Sequence, residues 1–557
     1  MLVISLSVVL PARALALEPA SPVKGKLVIC GGGTLPEEIT RRFIDLAGGP
    51  DARIVVIPTA SEAADYPNSS WFLETWHRNG ARNVTLLHTR DRRRANDPQF
   101  VKPLENATGV WIGGGKQHRL TEAYLGTKVE QLMHALLARG GVVGGTSSGA
   151  ACMSPVMIVQ GRTVADVGKG FGFLPGSVID QHFLKRNRQQ RLMGVLDDHP
   201  GLFGLGIDEG TAVVVEGRRV SVIGASQVAV CFSPSDNRPA KYELLAPGKQ
   251  ADLVALSRAA VARAVPQSAA VEQAAPQVAD GTLVIVGGGD TPPAAVEQFV
   301  EAAGGPEAPM VVVTTALGDE VPEKDEAVEF LTKAGARKVR HIHARDRAEA
   351  EKPEVLASLA DACGVWFTGG RQWRLVDAFQ GTKAERLFRA VLQRGGVIGG
   401  SSAGATIQGG YLVRGNPLGN TEMMVEGYEQ GFGFLPGVAI DQHFSQRKRF
   451  DDMLALKRAR PKLLGLGIDE STAVVVKGHE MKVIGQHQVA VYDRHPDTAS
   501  SEPPFQLLKA GDRYDLKARQ AIGLLASKSD EAGGREVAAN TDAAAEQKMP
   551  ETMAGGN

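Results

Sequence analysis

Gly145-Thr146-Ser147-Ser148-Gly149 follows the apolar run Gly141-Val142-Val143-Gly144, and the pair returns as Gly400-Ser401-Ser402-Ala403-Gly404 after Gly396-Val397-Ile398-Gly399. A serine between glycines directly behind a β-prone run marks a sharp strand-to-helix turn that lifts the hydroxyl clear of a sheet. The glycines answer a steric need, since the backbone passes its neighbours too closely for a bulky Cβ. A single such pentapeptide arises often by chance, so its repetition in matching surroundings is what identifies two nucleophile turns.

The repetition extends through most of the chain. Leu27-Val-Ile-Cys-Gly-Gly-Gly33 matches Leu283-Val-Ile-Val-Gly-Gly-Gly289, and Gly109-Val-Trp-Ile-Gly-Gly-Gly-Lys116-Gln117 matches Gly364-Val-Trp-Phe-Thr-Gly-Gly-Arg371-Gln372. The register difference is 255 around the serines (402 − 147) and 261 afterwards (443 − 182), so the second copy carries an insertion between them. Two related domains are expected at 24–258 and 280–520. Residues 1–23 hold an N-terminal segment, 259–279 a linker whose Ala-rich first part also suits a helix, and 521–557 a tail with almost no large apolar residues.

Composition fits two globular domains: 557 residues, 43% hydrophobic and 22% charged, suffice for two cores. With 62 basic against 62 acidic residues, nucleic acid is not an expected partner, and Arg90-Asp-Arg-Arg-Arg94 reads as a solvated loop. Leu2–Leu10 is apolar but too short to span a bilayer, and Ala14-Leu-Ala16 offers a small-x-small cleavage pattern; secretion or export to a periplasm is expected, with a cytoplasmic chain as the alternative. Cys30, Cys152, Cys231 and Cys363 have no paired spacing and read as buried hydrophobes, with no metal site and no cofactor expected.

Within the first copy, Leu27–Cys30, Arg53–Ile57, Val84–Leu87, Val110–Ile112 and Val142–Gly144 are predicted strands, alternating with helices at Glu37–Ala47, Trp71–Asn79, Gln117–Leu125 and Val129–Arg139. Such alternation predicts an α/β domain, a mostly parallel sheet with helices on both faces. Thr211–Val215, Arg219–Ile223 and Val228–Cys231 read as a meander at the sheet edge. The triple-glycine loops lack the third glycine of a dinucleotide fingerprint, with Pro36 and Pro292 in its place, and read as strand-end turns.

A serine needs a base and the base an acceptor. Of twelve histidines only two pairs sit at equivalent positions: His88 with His343, and His182 with His443. The first pair closes a strand, either bonded to a loop or in support of an active site. The second lies in Ile-Asp-Gln-His-Phe and supplies the base candidates. Glu209 and Glu470 follow Gly-Ile-Asp, each 27 residues beyond its histidine (209 − 182; 470 − 443), and are the acceptor candidates.

Together Gly-Thr-Ser-Ser-Gly-Ala150, Asp180-Gln-His-Phe-Leu-Lys-Arg-Asn-Arg-Gln-Gln-Arg-Leu192 and Gly206-Ile-Asp-Glu-Gly-Thr-Ala212, with their second-copy counterparts, resemble the cyanophycinase and aspartyl-dipeptidase family of serine peptidases. The resemblance implies two tandem class-I-glutaminase-like (flavodoxin-like) domains. It implies Ser147, His182 and Glu209, and Ser402, His443 and Glu470, as triads, with oxyanion donors from Gly114 and Ser148, and from Gly369 and Ala403. Gln117, Asp180, Gln181, Arg186, Arg188 and Arg191, and in the second copy Gln372, Asp441, Gln442, Arg447 and Arg449, are implied at the substrate pocket. There an acid would meet a substrate guanidinium and the arginines would meet its carboxylates. The implied substrate is cyanophycin, poly-aspartate with arginine on each β-carboxyl, released as β-Asp-Arg dipeptides.

Three departures bear on that implication: Lys116 and Arg371 stand where cyanophycinases commonly carry an acid, and Asp452 occupies the position of Arg191. An aspartyl or isoaspartyl dipeptidase is the alternative enzyme, and an idle protein that holds peptide or polymer is the alternative from another class. The duplication further predicts a monomer whose copies meet as a pseudo-dimer through equivalent faces.

Overall fold

The computed structural model describes residues 18–63, 66, 70–265, 274–323, 326–495, 497 and 503–523. The apolar N-terminal stretch with its cleavage pattern, linker residues 266–273 and the tail from 524 lie outside the described residues.

In copy one, Lys26–Cys30, Val142–Thr146, Gly109–Ile112, Arg53–Ile57 and Asn83–Leu86 are successive parallel neighbours. Thr211–Glu216, Arg219–Gly224 and Gln250–Asp252 extend the sheet antiparallel on the other side, to eight strands. Copy two repeats this order in a nine-stranded sheet, with Gln520–Ile522 as the additional edge. Successive side chains point to opposite faces of a strand, and both faces are apolar here. Val28, Cys30, Ile54 and Val56 pack with the helix Glu37–Ala47, Trp76 and Trp111. Leu27, Ile29, Val55 and Ile57 pack with the helices Gln117–Tyr124 and Lys128–Ala138 on the other face.

That second face is also covered by another sheet, which the sequence reading did not separate. Its order is Lys241–Leu245, Val228–Phe232, Phe203–Ile207, Ser177–Gln181, Val156–Gln160 and Asp166–Lys169. The expected three-strand meander is corrected accordingly: Val228–Phe232 leaves the main sheet and pairs antiparallel with Phe203–Ile207. The reason lies in its two apolar faces. Val228, Val230 and Phe232 join the core between the sheets, while Ala229 and Cys231 meet Leu192, Val195 and Leu196 of the helix Gln189–Asp198.

The residues after Asp252 form a helix, Leu253–Ala264, started by the Asp252 carboxylate, which accepts from the Ala255 N–H at 2.9 Å. The Ala-rich part of the expected linker is therefore helical. This helix docks on copy two. Arg258 Nε donates to Asp377 at 2.7 Å, and Arg263 Nε and Nη2 donate to Glu426 at 2.5 and 3.1 Å. Arg218 donates to Asp377 at 3.0 Å and stacks over Trp373, its guanidinium carbon 4.0 Å from the ring centroid. Among the described residues these contacts have no reciprocal: the terminal helix of copy one meets the helix Gln372–Phe379, whereas copy two, past Asp515, forms the edge strand Gln520–Ile522 on its own sheet instead of a helix against Gln117–Tyr124. The expected contact between equivalent faces is thus corrected to a head-to-tail one.

Candidate active sites

Ser147 sits between the strand Val142–Thr146 and the short helix Ser148–Ala151, at φ 53° and ψ −112°; Ser402 repeats this at 55° and −110°. A non-glycine residue in that region stores on the order of 1–3 kcal/mol, which the surrounding packing must hold. The flanking glycines explain how. A Cβ on Gly149 would lie 2.2 Å from the Ile112 carbonyl oxygen, and one on Gly145 would lie 2.9 Å from the Gly149 backbone.

His182 follows the strand Ser177–Gln181, and Glu209 lies two residues beyond the adjacent parallel strand Phe203–Ile207. The two strand ends therefore deliver both side chains to the mouth of the elbow, and the His182 N–H donates to the Gly31 carbonyl at 2.7 Å, tying the second sheet to the first. The Ser147 hydroxyl lies 2.8 Å from His182 Nε2, and His182 Nδ1 lies 2.6 Å from Glu209 Oε1. In copy two the corresponding distances are 2.9 and 2.6 Å for Ser402, His443 and Glu470. A carboxylate can only accept, so a neutral ring carries its proton on Nδ1 and leaves Nε2 open to the serine hydroxyl. Burial lowers the pKa of both imidazoles below 6.5; the hydrogen bond that each donates to its glutamate opposes this, and Arg186 and Arg447 add to it.

Gly114 and Gly369 lie against the elbow, where a Cβ would stand 3.3 and 3.5 Å from the Cβ of Ser147 and Ser402. Ser148 and Ala403 open their helices, so their N–H groups have no intrahelical acceptor. These are the four backbone positions expected to receive an oxyanion.

The remaining expected pocket residues divide. Arg186 and Arg447 are exposed beside the imidazoles. Asp180 and Asp441, in contrast, are fully buried and meet the protein's own arginines, which corrects their expected contact with a substrate guanidinium. Arg191 Nε donates to Asp180 at 2.9 Å and Arg188 Nη1 to the Gln181 carbonyl at 2.6 Å; Arg188 also bonds the Gln181 side chain. Arg449 does the same with Asp441 and Gln442. Burying an aspartate demands such partners, so Arg188, Arg191, Arg449, Gln181 and Gln442 brace the site from behind. Gln117 and Gln372 brace its flank, donating to the carbonyls of Ile158 and Val159 and of Val413 and Arg414.

The loss of an arginine at Asp452 is made good from another element. Arg414 donates to Asp441 through Nε and Nη2, both at 2.9 Å, and to Asp452 at 2.6 Å. Its copy-one counterpart is Val159, so a guanidinium has moved from a helix to the loop after the strand Gly409–Tyr411 while the buried aspartate keeps two arginines. His88 and His343 are strand-end residues bonded to Thr59 and Thr314 at 3.0 Å.

Two sets of functional residues escaped the sequence reading. Gly32 and Gly288 press on the imidazoles, and a Cβ there would lie 2.4 and 2.3 Å from Cε1 of His182 and His443. Asp208 accepts from the Lys185 N–H and Asp469 from the Ser445 N–H, both at 2.9 Å, fixing the turn that follows each histidine. The duplicated Gly-Gly-Gly and Ile-Asp-Glu runs carried that signal. Among the described residues, no group of three or more His, Cys, Asp or Glu could hold a metal ion, and no helix is long and apolar enough to cross a membrane.

The model of Peptidase family S51 matches residues 27–223 and again 283–484. The chain is similar to the cyanophycinase of Geminocystis herdmanii, 35% identical over 203 residues that cover 35% of this chain and 74% of the relative. It is 34% identical to that of Synechococcus elongatus, over 37% of this chain and 68% of the relative, and 33% identical to that of a Nostoc species, over 37% and 73%. Among solved structures, a peptidase from an acI-B1 Actinobacterium aligns with 42% of this chain and 98% of its own at 23% identity and a TM-score of 0.34. A putative peptidase E of Listeria monocytogenes aligns over 37% and 100%, at 16% identity and a TM-score of 0.29.

Proposed function

The chain belongs to peptidase family S51 and is a serine peptidase, and from that membership we propose a two-site exopeptidase that hydrolyses cyanophycin to β-Asp-Arg dipeptides. The observation that carries the reading is the same serine–imidazole–carboxylate chain, with contacts of 2.6 to 2.9 Å, in both copies. Ser147 or Ser402 attacks the scissile carbonyl carbon while its proton passes to Nε2 of His182 or His443. Glu209 or Glu470 holds the Nδ1 proton and stabilises the imidazolium that forms. The N–H groups of Ser148 and Gly114, or Ala403 and Gly369, take the oxyanion. As the tetrahedral species collapses, the imidazolium gives its proton to the leaving amine, and an acyl-enzyme remains. Water, deprotonated by the same imidazole, then releases the acid and restores the serine. Exposed Arg186 and Arg447 pair with substrate carboxylates. Export from the cytoplasm belongs to the same proposal and is supported by Leu2–Leu10 and Ala14–Ala16.

A dipeptidase for aspartyl or isoaspartyl peptides is the second reading. It is favoured by the commitment of Asp180 and Asp441 to internal arginines, which leaves neither for a substrate guanidinium. Incubation with purified cyanophycin decides between them: release of β-Asp-Arg supports the first reading, and cleavage of β-aspartyl dipeptides with the polymer left intact supports the second.

A further inference from the structure

The insertion that separates the copies lies beside one site only. Between the aligned pairs Val159/Arg414 and Gly170/Gly431, copy one has residues 160–169 and copy two has 415–430, ten against sixteen. The longer segment is fastened at both ends. At the site, Arg371 Nη2 donates to the carbonyls of Asn416 and Gly419, both at 2.6 Å, and Arg414 Nη1 donates to those of Asn420 and Thr421 at 3.1 and 3.2 Å. Arg371 is two residues past Gly369, which touches Ser402. At the far end, Glu426 receives Arg238 and Arg263 of copy one, and Tyr428 shares Asp377 with Arg218 and Arg258.

This arrangement changes the chemistry of the mouth. Arg371, the cation that stands beside the Ser402 site, spends its Nη2 on loop carbonyls. Leu418, between those carbonyls, is 54% exposed, and Leu317, next to Gly370, is 49% exposed. Copy one presents Ser61 in place of Leu317 and an exposed Lys116, and the exposed valines of its shorter segment, Val164 and Val167, line a cavity with the helix Gln189–Asp198.

We propose that the segment 415–430 is a specificity wall of the Ser402 site, pinned by Arg371 as a positioning residue and completed by the docked copy one. The two sites consequently divide one substrate class. The Ser402 site takes aspartyl peptides whose neighbouring side chain offers an aliphatic stem, and the Ser147 site takes those with a carboxylate for Lys116. The inference rests on the proposed peptidase activity of both sites.

The test uses full-length single-site enzymes, Ser402→Ala and Ser147→Ala, with β-aspartyl dipeptides ending in leucine or glutamate. The leucine-to-glutamate ratio of kcat/KM should be about tenfold higher at the Ser402 site, the order of effect that one pocket contact supplies. In the Ser147→Ala background, Arg371→Ala, or exchange of 415–430 for 160–169, should lower that ratio toward the copy-one value through KM. The rate of labelling by a small fluorophosphonate, which needs only the triad, should stay unchanged and reports that each variant is folded. Equal ratios at the two sites with labelling intact would overturn the wall; absence of labelling at both serines would overturn the peptidase reading instead.

Discussion

His182 and His443 work as bases only when neutral, and burial holds their pKa below 6.5. Activity is therefore complete above that range and is lost as pH falls through the lowered value, so the acid limb of kcat/KM should lie below pH 6.5. Arg186 is a like charge that helps to lower His182. In the Ser402→Ala background, Arg186→Ala should move the limb to higher pH, and a pH–rate profile with an unmoved or lowered limb would contradict this assignment. Gly32 offers a second test at this scale. Its φ of 101° and its contact with the imidazole leave no room for a methyl group. Gly32→Ala in that background should lower kcat roughly a hundredfold by displacing the base, measured at a temperature where thermal unfolding shows the strained variant still folded.

At the scale of elements, the two nucleophile turns, the parallel strands and the histidine–glutamate spacing were legible because each is written in local pattern and repeated. The second sheet was not, since Phe203-Gly-Leu-Gly-Ile207 is poor in β-branched residues and its partners come from distant segments. Nor was the bracing role of the arginines: a run of spaced basic residues looks like a solvated, substrate-facing helix until the burial of Asp180 is known. The exchange of Arg191 for Arg414 depends on a contact across 27 residues that no spacing rule reveals. It has a measurable consequence. Arg191→Ala and Arg414→Ala should each cost about 2–3 kcal/mol, the usual loss of a hydrogen bond to a charged group, because Asp180 keeps Arg188 and Asp441 keeps Arg449. Asp452→Ala should cost about 1 kcal/mol or less, because that side chain is 45% exposed. Chemical denaturation of the three variants gives the comparison, and equal losses would refute the exchange.

At the scale of the whole molecule, duplication has produced an asymmetric pair. Copy one contributes Arg218, Arg238, Arg258 and Arg263 to carboxylates of copy two, and Arg258 and Arg263 are themselves buried. The Arg258→Ala/Arg263→Ala double variant should raise the radius of gyration in solution scattering while the mass stays near 59.0 kDa. An unchanged radius would show that the arginines do not hold the copies together. The central claim is that each copy carries a working nucleophile, and its most direct measurement is the stoichiometry of covalent labelling by a fluorophosphonate, read by intact mass. The account predicts two labels on the native chain, one on Ser147→Ala, one on Ser402→Ala and none on the double variant. A single label on the native chain, or labelling that survives in the double variant, would contradict it.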